Sequence, residues 1–437
     1  MDFMALSPLD GRYASHVEPL RPHLSEDALL RARTEVEVRY FIALSQEAAI
    51  REFPKLSAAQ TKALLAIVEQ FGSADVREIK RIEKTTNHDV KAVEYYLQKR
   101  IAKIPGLQSR LAFIHFGLTS EDVNNLAYGL LVHRALSDVI RPSLRKCIAD
   151  LQGMARRWDR IRLLSLTHGQ PATPTTLGKE MRVFADRLER QFLQLKAFKM
   201  QGKFGGAVGN YAAVSTAYPD VRWPQFGAKF IRSLGLAPLA NTTQINPHDD
   251  LAEVSHMLVR VNTILLDFSR DVWFYISRGV FTQRVVQGEI GSSTMPHKVN
   301  PIDFENAEGN LGISNALFSH FAEKLPISRL QRDLSDSTVQ RNIGVAFGYH
   351  LLAMRSLQKG MGKLAVDRGA IARELALHPE VVAEAVQIVL RKHGVHDAYE
   401  KLKALTRGKK VTPEAFRTFI AALPLPKGER DRLSKLV

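Results

Sequence analysis

The 437-residue sequence contains a single cysteine, Cys147. One thiol can form neither an internal disulfide nor a cysteine-based metal cage, so a reducing compartment fits. No apolar run approaches the ~18–20 residues that a membrane-spanning helix needs. The first residues, up to Tyr13, lack the basic region and apolar core of a secretory signal. We therefore expect a cytoplasmic chain without a membrane partner.

Clustered positive charge is also missing, although the formal net charge is +16. The densest basic patch, Arg407–Lys410, is short, and the other basic residues are scattered, which is more typical of a solvated surface than of a nucleic-acid footprint. The sequence has no H-E-x-x-H metal motif and no G-x-x-x-x-G-K phosphate loop. We predict no nucleic-acid partner, no metal and no cofactor. The charge is compatible with an anionic small substrate.

What the sequence has in abundance is helical periodicity. Apolar residues recur at steps of three and four from Leu251 to Ile276, and again from Met181 to Leu195. Such stripes indicate long amphipathic helices. We predict an all-α protein with three helical domains and a long central helical bundle. The breaks at Ile104–Gly106 and Gly360–Gly362 place these domains at residues 1–108, 109–362 and 363–437.

Four polar or glycine-rich segments interrupt the helical pattern. Hydroxyl, Asx and proline residues suggest that each one starts a helix, where free N–H groups can receive carboxylates or phosphates. Capping alone would explain any one of the first three. The segments are Thr85–Asp89, Thr119–Asp122, Thr167–Pro174 and Gly288–Pro301.

The fourth segment is the most specific. Two serines follow Gly291, and a proline, a histidine, Lys298 and Asn300 come within the next seven positions. A cation and an amide next to a helix start could hold a carboxylate while a serine oxygen faces the neighbouring carbon. This pattern favours an enzyme that removes a proton beside a carboxylate.

Gly291–Pro301 (GSSTMPHKVNP) resembles the signature loop of the fumarase/aspartase superfamily, whose members release fumarate or run related chemistry. Four other segments are similar to those of one branch, the adenylosuccinate lyase family, with the longer bacterial type especially close. After Lys410 the likeness weakens. The four segments are Ser7–Tyr13 (SPLDGRY), Thr85–Tyr95 (TTNHDVKAVEY), Leu166–Pro174 (LTHGQPATP) and Gln331–Asn342 (QRDLSDSTVQRN).

The resemblance implies a β-elimination that releases fumarate from adenylosuccinate and from the succinyl-carboxamide ribonucleotide of purine synthesis. It implies Ser292 as the general base and His168 as the general acid, with Glu305 paired to the histidine. Ser293 could exchange roles with Ser292. The resemblance also implies a homotetramer whose sites are shared between subunits.

Substrate contacts follow from the same likeness. Lys298, Asn300, Thr119 and Ser120 resemble the residues that hold the succinyl carboxylates. Residues expected at the phosphate end are Arg12, Tyr13, Arg332, Ser337 and Arg341, and further expected contacts are Asn87, His88, Asp89, Gln244, Ser293 and Asn306.

Three alternatives stay open from the sequence. The chain could be another fumarate-releasing lyase, chiefly an argininosuccinate lyase. It could be a non-catalytic structural homologue, although it retains Ser292, His168, Lys298 and Glu305. A nucleic-acid-binding scaffold would rest on the positive charge alone.

Overall fold

The structure, a computed structural model, describes residues 4–288, 291, 294–408 and 411–436. It confirms the all-α prediction, since 66% of the chain is helical. Short 3-10 helices also span Glu18–Leu20, Gln108–Phe113 and Pro379–Val382, and a π-helix spans Leu136–Ile140. The α-helices are α1 (Ala14–Val17), α2 (Arg21–Leu24), α3 (Glu26–Ser45), α4 (Ala58–Glu69), α5 (Ser73–Thr86), α6 (Asp89–Ile101), α7 (Ser120–Ala135), α8 (Arg141–Arg157), α9 (Leu177–Ala197), α10 (Ala212–Ala217), α11 (Trp223–Ser233), α12 (Asp249–Ser277), α13 (Ile302–Lys324), α14 (Ser335–Gln340), α15 (Ile343–Lys363), α16 (Arg368–Ala376), α17 (Ala383–Lys392), α18 (Ala398–Thr406), α19 (Pro413–Ala421) and α20 (Lys427–Ser434).

Strands are few and short in the described residues. Each sheet has two strands, so no sheet is large enough to form a core of its own. The antiparallel pairs are β1 (Arg162–Thr167) with β2 (Gln170–Thr176) and β5 (Phe281–Gln283) with β6 (Leu364–Val366), and the parallel pair is β3 (Gln201–Gly202) with β4 (Ala237–Pro238).

The chain divides into two compact units. The three-domain division with boundaries near residues 108 and 362 stays a prediction. Unit 1 comprises Met1–Lys146, Leu188–Leu266 and Asn306–Ser356, and unit 2 comprises Cys147–Arg187, Asp267–Glu305 and Leu357–Val437.

The predicted apolar stripes lie on two long helices, α9 and α12. All five stripe residues of α9 are buried, from Met181 to Leu195, and so are those of α12 except the half-buried Ile276. Each buried side chain of this size contributes roughly 1.5–3 kcal/mol through the area it removes from water. The hydrophobic period therefore predicted both helices correctly.

In unit 1, α3 packs against α7, and the buried apolar side chains of the two helices include Val36, Leu44 and Leu126. In unit 2, the C-terminal helices α17–α20 share a core around Leu390, Phe416 and others. Thr412 caps α19 by accepting a hydrogen bond from the Ala415 N–H, and Pro413 occupies the first turn, where its missing N–H costs nothing. None of the described helices combines the length and the apolar character that a membrane span requires.

Candidate active site

In unit 1, the Thr85–Asp89 segment joins two helices. Asn87 ends α5 in a left-handed conformation with φ 51°, and His88 caps α6. The His88 Nδ1 accepts a hydrogen bond from the Lys91 N–H at 3.1 Å. The segment starts a helix as predicted, and the histidine ring takes the capping position. With Nδ1 as acceptor, the neutral ring carries its proton on Nε2.

Asp89 links the Thr85–Asp89 segment to Arg341, which is far away in the sequence. Its Oδ2 accepts hydrogen bonds from Arg33 at 2.7 Å and from Arg341 at 3.4 Å. The buried Arg33 also donates from Nε to the Asn124 side chain at 2.8 Å. Burial alone would raise the pKa of Asp89, but Arg33 and the Val90 N–H outweigh it, so the pKa lies below its ordinary value. Asp89 is thus an ionised group fixed between two arginines.

The Thr119–Asp122 segment starts α7 as predicted. The Thr119 N–H donates to the Asp122 Oδ2 at 2.9 Å, which is the return bond of a capping box. Asp122 also pairs with Lys203 at 2.8 Å, and both side chains are fully buried. The N–H groups of Gly205 and Gly206 donate to the same carboxylate. These bonds fix the helix start that carries Thr119 and Ser120.

Arg332 lies between two carboxylates in unit 1. Its Nη1 is 3.0 Å from the Asp336 Oδ2 and 3.6 Å from the Glu121 Oε2. Burial raises the pKa of Glu121 to about 7, although His248 and Arg332 lower it. Glu121, His248 and Asp336 each offer an atom within 4.8 Å of the others, a spacing compatible with a metal ion. Because the Arg332 guanidinium already pairs with both carboxylates, we treat the group as an ion-pair network.

The N-terminal segment contributes Arg12 and Tyr13. The Asn306 Nδ2 donates to the Tyr13 hydroxyl at 3.3 Å, and the Asn306 Oδ1 accepts from Ser356 at 2.7 Å. The guanidinium carbon of Arg12 lies 5.8 Å from the centre of the Tyr13 ring. A cavity of about 290 Å³ is lined by both Ser7, from this segment, and Arg341.

Two further predicted contacts, Gln244 and Ser337, each donate a hydrogen bond to a neighbouring group. The Gln244 side chain donates to the Ala207 carbonyl at 2.7 Å. The Ser337 N–H donates to the Asp336 Oδ1 at 2.7 Å. Both residues belong to unit 1, which also contains Arg332 and Arg341.

In unit 2, His168 lies at the tip of a β-hairpin. Thr167 pairs with Gln170 across a two-residue turn in which His168 and Gly169 have φ values of 54° and 71°. Positive φ at both positions is typical of a type I′ turn, which matches the twist of the two strands. The prediction that Thr167–Pro174 starts a helix is wrong, because these residues form the hairpin and α9 begins only at Leu177. The turn leaves the His168 side chain exposed.

The signature loop is partly described, and Ser292 and Ser293 lie outside the described residues. The Asn300 Nδ2 donates to the Gly291 carbonyl at 2.9 Å, and the Lys298 N–H donates to the Met295 carbonyl at 3.0 Å. A Cβ atom on Gly291 would lie 2.2 Å from the Lys298 carbonyl oxygen, so only glycine fits. Gly291 is therefore held against Lys298 and Asn300, near the end of the segment.

Glu305 lies in the first turn of α13. Its Oε1 accepts a hydrogen bond from the Trp273 Nε1 at 3.1 Å. Its pairing with His168 stays a prediction.

Sequence reasoning missed the buried charged residues that surround the predicted ones. A charged residue inside a helical pattern is usually exposed, and its burial depends on partners far away in the sequence. The clearest sequence hint was the position of two of them inside the Thr119–Asp122 segment. The missed residues are Arg33, Glu121, Asp122, Lys203, His248 and Asp336.

The sequence matches two family models: "Lyase" over residues 11–313 and "Adenylosuccinate lyase C-terminal" over residues 328–437. The second match includes the residues after Lys410, where a weaker likeness was expected. Three similar proteins, all called adenylosuccinate lyase, are 52%, 50% and 51% identical over 432 residues, and each alignment covers 99% of this chain and 95% of the relative. They come from Escherichia coli strain K12, Legionella pneumophila strain Philadelphia 1 and Haemophilus influenzae strain Rd.

Solved structures share the fold at lower identity. A 3-carboxy-cis,cis-muconate lactonizing enzyme from Pseudomonas putida has a TM-score of 0.76 and 24% identity, covering 95% of this chain and 92% of its own. A fumarate lyase from Mesorhizobium sp. BNC1 also has a TM-score of 0.76, with 18% identity and coverage of 96% and 94%. At these identities the likeness supports the architecture alone.

Proposed function

The chain belongs to the adenylosuccinate lyase family, and we therefore propose that it releases fumarate from adenylosuccinate. In this β-elimination a base removes a proton from the carbon beside a succinyl carboxylate. The C–N bond then breaks, a C=C bond forms, and an acid protonates the departing nitrogen to give AMP. The same site would release fumarate from the succinyl-carboxamide ribonucleotide.

We assign the base to Ser292 and the acid to His168. Serine is intrinsically a weak base, so its alkoxide needs nearby donors, which the N–H groups of the loop and Lys298 can supply. The hydrogen bond from Asn300 to Gly291 supports this assignment, since it holds Gly291, the residue directly before Ser292. His168 lies on an exposed turn, so it is accessible to a ligand.

The proposed substrate has one phosphate and two carboxylates, so the site needs groups that bind anions. Lys298, Asn300 and the α7 start at Thr119 and Ser120 would hold the carboxylates, because helix N-termini and cations stabilise anions. Arg341 and Arg332 would hold the phosphate. One observation carries this nucleotide assignment: the TTNHD and QRDLSDSTVQRN segments meet at the Asp89–Arg341 ion pair.

We also propose a cytoplasmic homotetramer with sites shared between subunits. The residues assigned to the chemistry lie far apart in the sequence, on different helices and loops. Several long helices expose large apolar side chains, including Leu193, Phe274 and Ile313, which another subunit could cover. We expect no partner among nucleic acids or membranes.

A three-substrate assay tests the proposed activity. Purified protein is given adenylosuccinate, the succinyl-carboxamide ribonucleotide or argininosuccinate, and fumarate release is followed by absorbance. We expect turnover of the first two and none of the third. Turnover of argininosuccinate alone would identify the alternative lyase, and no turnover of any substrate would favour a non-catalytic homologue.

A further inference from the structure

Glu121 is a buried carboxyl group without an assigned role in the elimination. It lies in the first turn of α7, directly after Thr119 and Ser120, and 3% of its surface is exposed. Its Oε1 has no hydrogen-bond partner within the described part of the chain. Its Oε2 is 3.6 Å from the Arg332 guanidinium. A buried carboxyl oxygen without a hydrogen bond is costly when ionised, so the group calls for an explanation.

The charges around Arg332 suggest an explanation for the buried Glu121 carboxyl group. Asp336 is the nearer carboxylate, at 3.0 Å, and its pKa is held below the ordinary value because His248 and Arg332 outweigh its burial. Asp336 is therefore ionised and already neutralises the guanidinium. If Glu121 were ionised as well, Arg332 would face two negative charges and would attract a substrate anion poorly.

We infer that Glu121 is a positioning residue for Arg332, and that its carboxylate takes up a proton from solvent when the phosphate of a nucleotide binds there. The step converts a carboxylate and a solvent proton into a carboxylic acid and changes no other bond. It rests on the proposed phosphate contact at Arg332. A bound phosphate adds negative charge beside Glu121 and so favours its protonated form, and by linkage protonation favours phosphate binding.

The surroundings agree with a proton exchange near neutral pH. Burial, with a smaller contribution from Asp336, raises the pKa of Glu121 to about 7 against the opposing charges of His248, Arg332 and Lys203. Tyr128 also faces this group. The carboxylate of Asp122, the next residue, forms an ion pair with Lys203.

The pH dependence of KM distinguishes this role from a merely structural one. KM for adenylosuccinate is measured from pH 6 to pH 8 in the wild type and in Glu121→Gln, whose amide stays neutral. The ratio of the wild-type KM to the variant KM should rise roughly tenfold over this range, because the protonated enzyme binds better. Using a ratio cancels the ionisation of the substrate itself. A ratio constant within twofold overturns the inference.

Two further variants sharpen the comparison. Glu121→Asp keeps a titrating carboxyl group and should keep the dependence on pH. Glu78→Gln removes a partly exposed carboxylate that pairs with Lys99, and it should follow the wild type. If all forms failed to release fumarate at every pH, the proposed function would fail. A normal rate with a flat KM ratio would remove only the role of Glu121.

A measurement on the wild type alone guards against a variant that does not fold. AMP binding is followed by calorimetry at pH 8 in two buffers of different ionisation enthalpy. The phosphate of AMP is already doubly ionised at this pH, so its own titration contributes little. We expect uptake of close to one proton per site. No uptake overturns the inference whatever the variants show.

Discussion

Asp89 and Arg341 are 252 positions apart in the chain, yet the Arg341 Nη2 lies 3.4 Å from the Asp89 Oδ2. The same oxygen accepts a shorter bond, 2.7 Å, from the buried Arg33. Arg33 therefore fixes the position of Asp89, and Asp89 in turn orients Arg341 toward the cavity that Ser7 also lines.

Replacing Arg33 with Met should lower the free energy of unfolding by about 2–3 kcal/mol, because Asp89 and Asn124 lose a buried partner. Arg39→Met, on the same helix, removes a more exposed pair with Glu35 and should cost less than about 1 kcal/mol. Urea unfolding followed by circular dichroism at pH 7 compares the two. Equal losses would contradict the assigned importance of Arg33.

The stabilisation that Arg33 provides through Asp89 should decrease at low pH. The pKa of Asp89 is lowered in the folded protein, so its ionised form contributes stability above the ordinary value of 3.8. That contribution is lost as the pH falls through the lowered value. The difference between the wild type and Arg33→Met should therefore shrink below pH 3.8, and a constant difference would argue against the ion pair.

His350 should make the protein sensitive to mild acid. Complete burial lowers its pKa to about 4, while its Nδ1 contacts the Asn262 Oδ1. The unfolded chain, with an ordinary value of 6.5, binds more protons between pH 6.5 and 4, so stability falls as the pH falls.

The size of this effect can be isolated with His350→Gln, which retains a hydrogen-bond donor but does not titrate. Between pH 7 and pH 5 the wild type should lose about 2 kcal/mol more than the variant. Chemical denaturation at the two pH values measures the difference. Parallel losses in both proteins would show that His350 does not titrate as its burial implies.

Gly291→Ala should reduce the rate of fumarate release at least tenfold, because the added Cβ would collide with the Lys298 carbonyl and displace the loop around Ser292. Gly153→Ala is the matched control, since its Cβ would meet no atom within 4 Å in α8. The control should stabilise the helix by up to about 1 kcal/mol without changing the rate. Comparable rates for the two variants would contradict the steric requirement at Gly291.

Mixing subunits tests the shared site. Ser292→Ala and His168→Ala should each lower turnover by at least about a thousandfold with helical content unchanged. If the two residues of one site come from different subunits, random tetramers of both variants regain wild-type sites with a probability of roughly one quarter. Recovery of about 25% of the rate after mixing is expected, and no recovery would place both residues in one subunit.

The sequence predicted the long helices well because their signal is local. The apolar steps from Leu251 to Ile276 correspond to a helix over Asp249–Ser277, and the only stripe residue that is not fully buried, Ile276, lies at its end. Periodicity reports which face of a helix is buried, and packing in the folded protein agrees with it.

The Thr167–Pro174 segment was misassigned because two local signals compete. Thr173 and Pro174 resemble a helix start, whereas His168 and Gly169 suit a two-residue hairpin turn. The strands on both sides supply the ladder hydrogen bonds that decide the outcome. The threonine-rich composition of this segment was the available hint, since β-branched residues favour strands.

The network around Arg332 could not be predicted because Glu121 and His248 are far from Arg332 and Asp336 in the sequence. The place of Glu121 inside the Thr119–Asp122 segment was a hint of a role, but the local sequence does not show that Glu121, His248 and Asp336 come together in the folded chain. Whether a carboxylate is ionised depends on these tertiary contacts.

The most direct test of the account is product analysis with adenylosuccinate as the sole substrate. We predict one fumarate and one AMP per molecule consumed by the wild-type protein, with neither product formed by His168→Ala at a comparable rate. Consumption of adenylosuccinate without fumarate, or no consumption by a correctly folded protein, would contradict the proposed elimination.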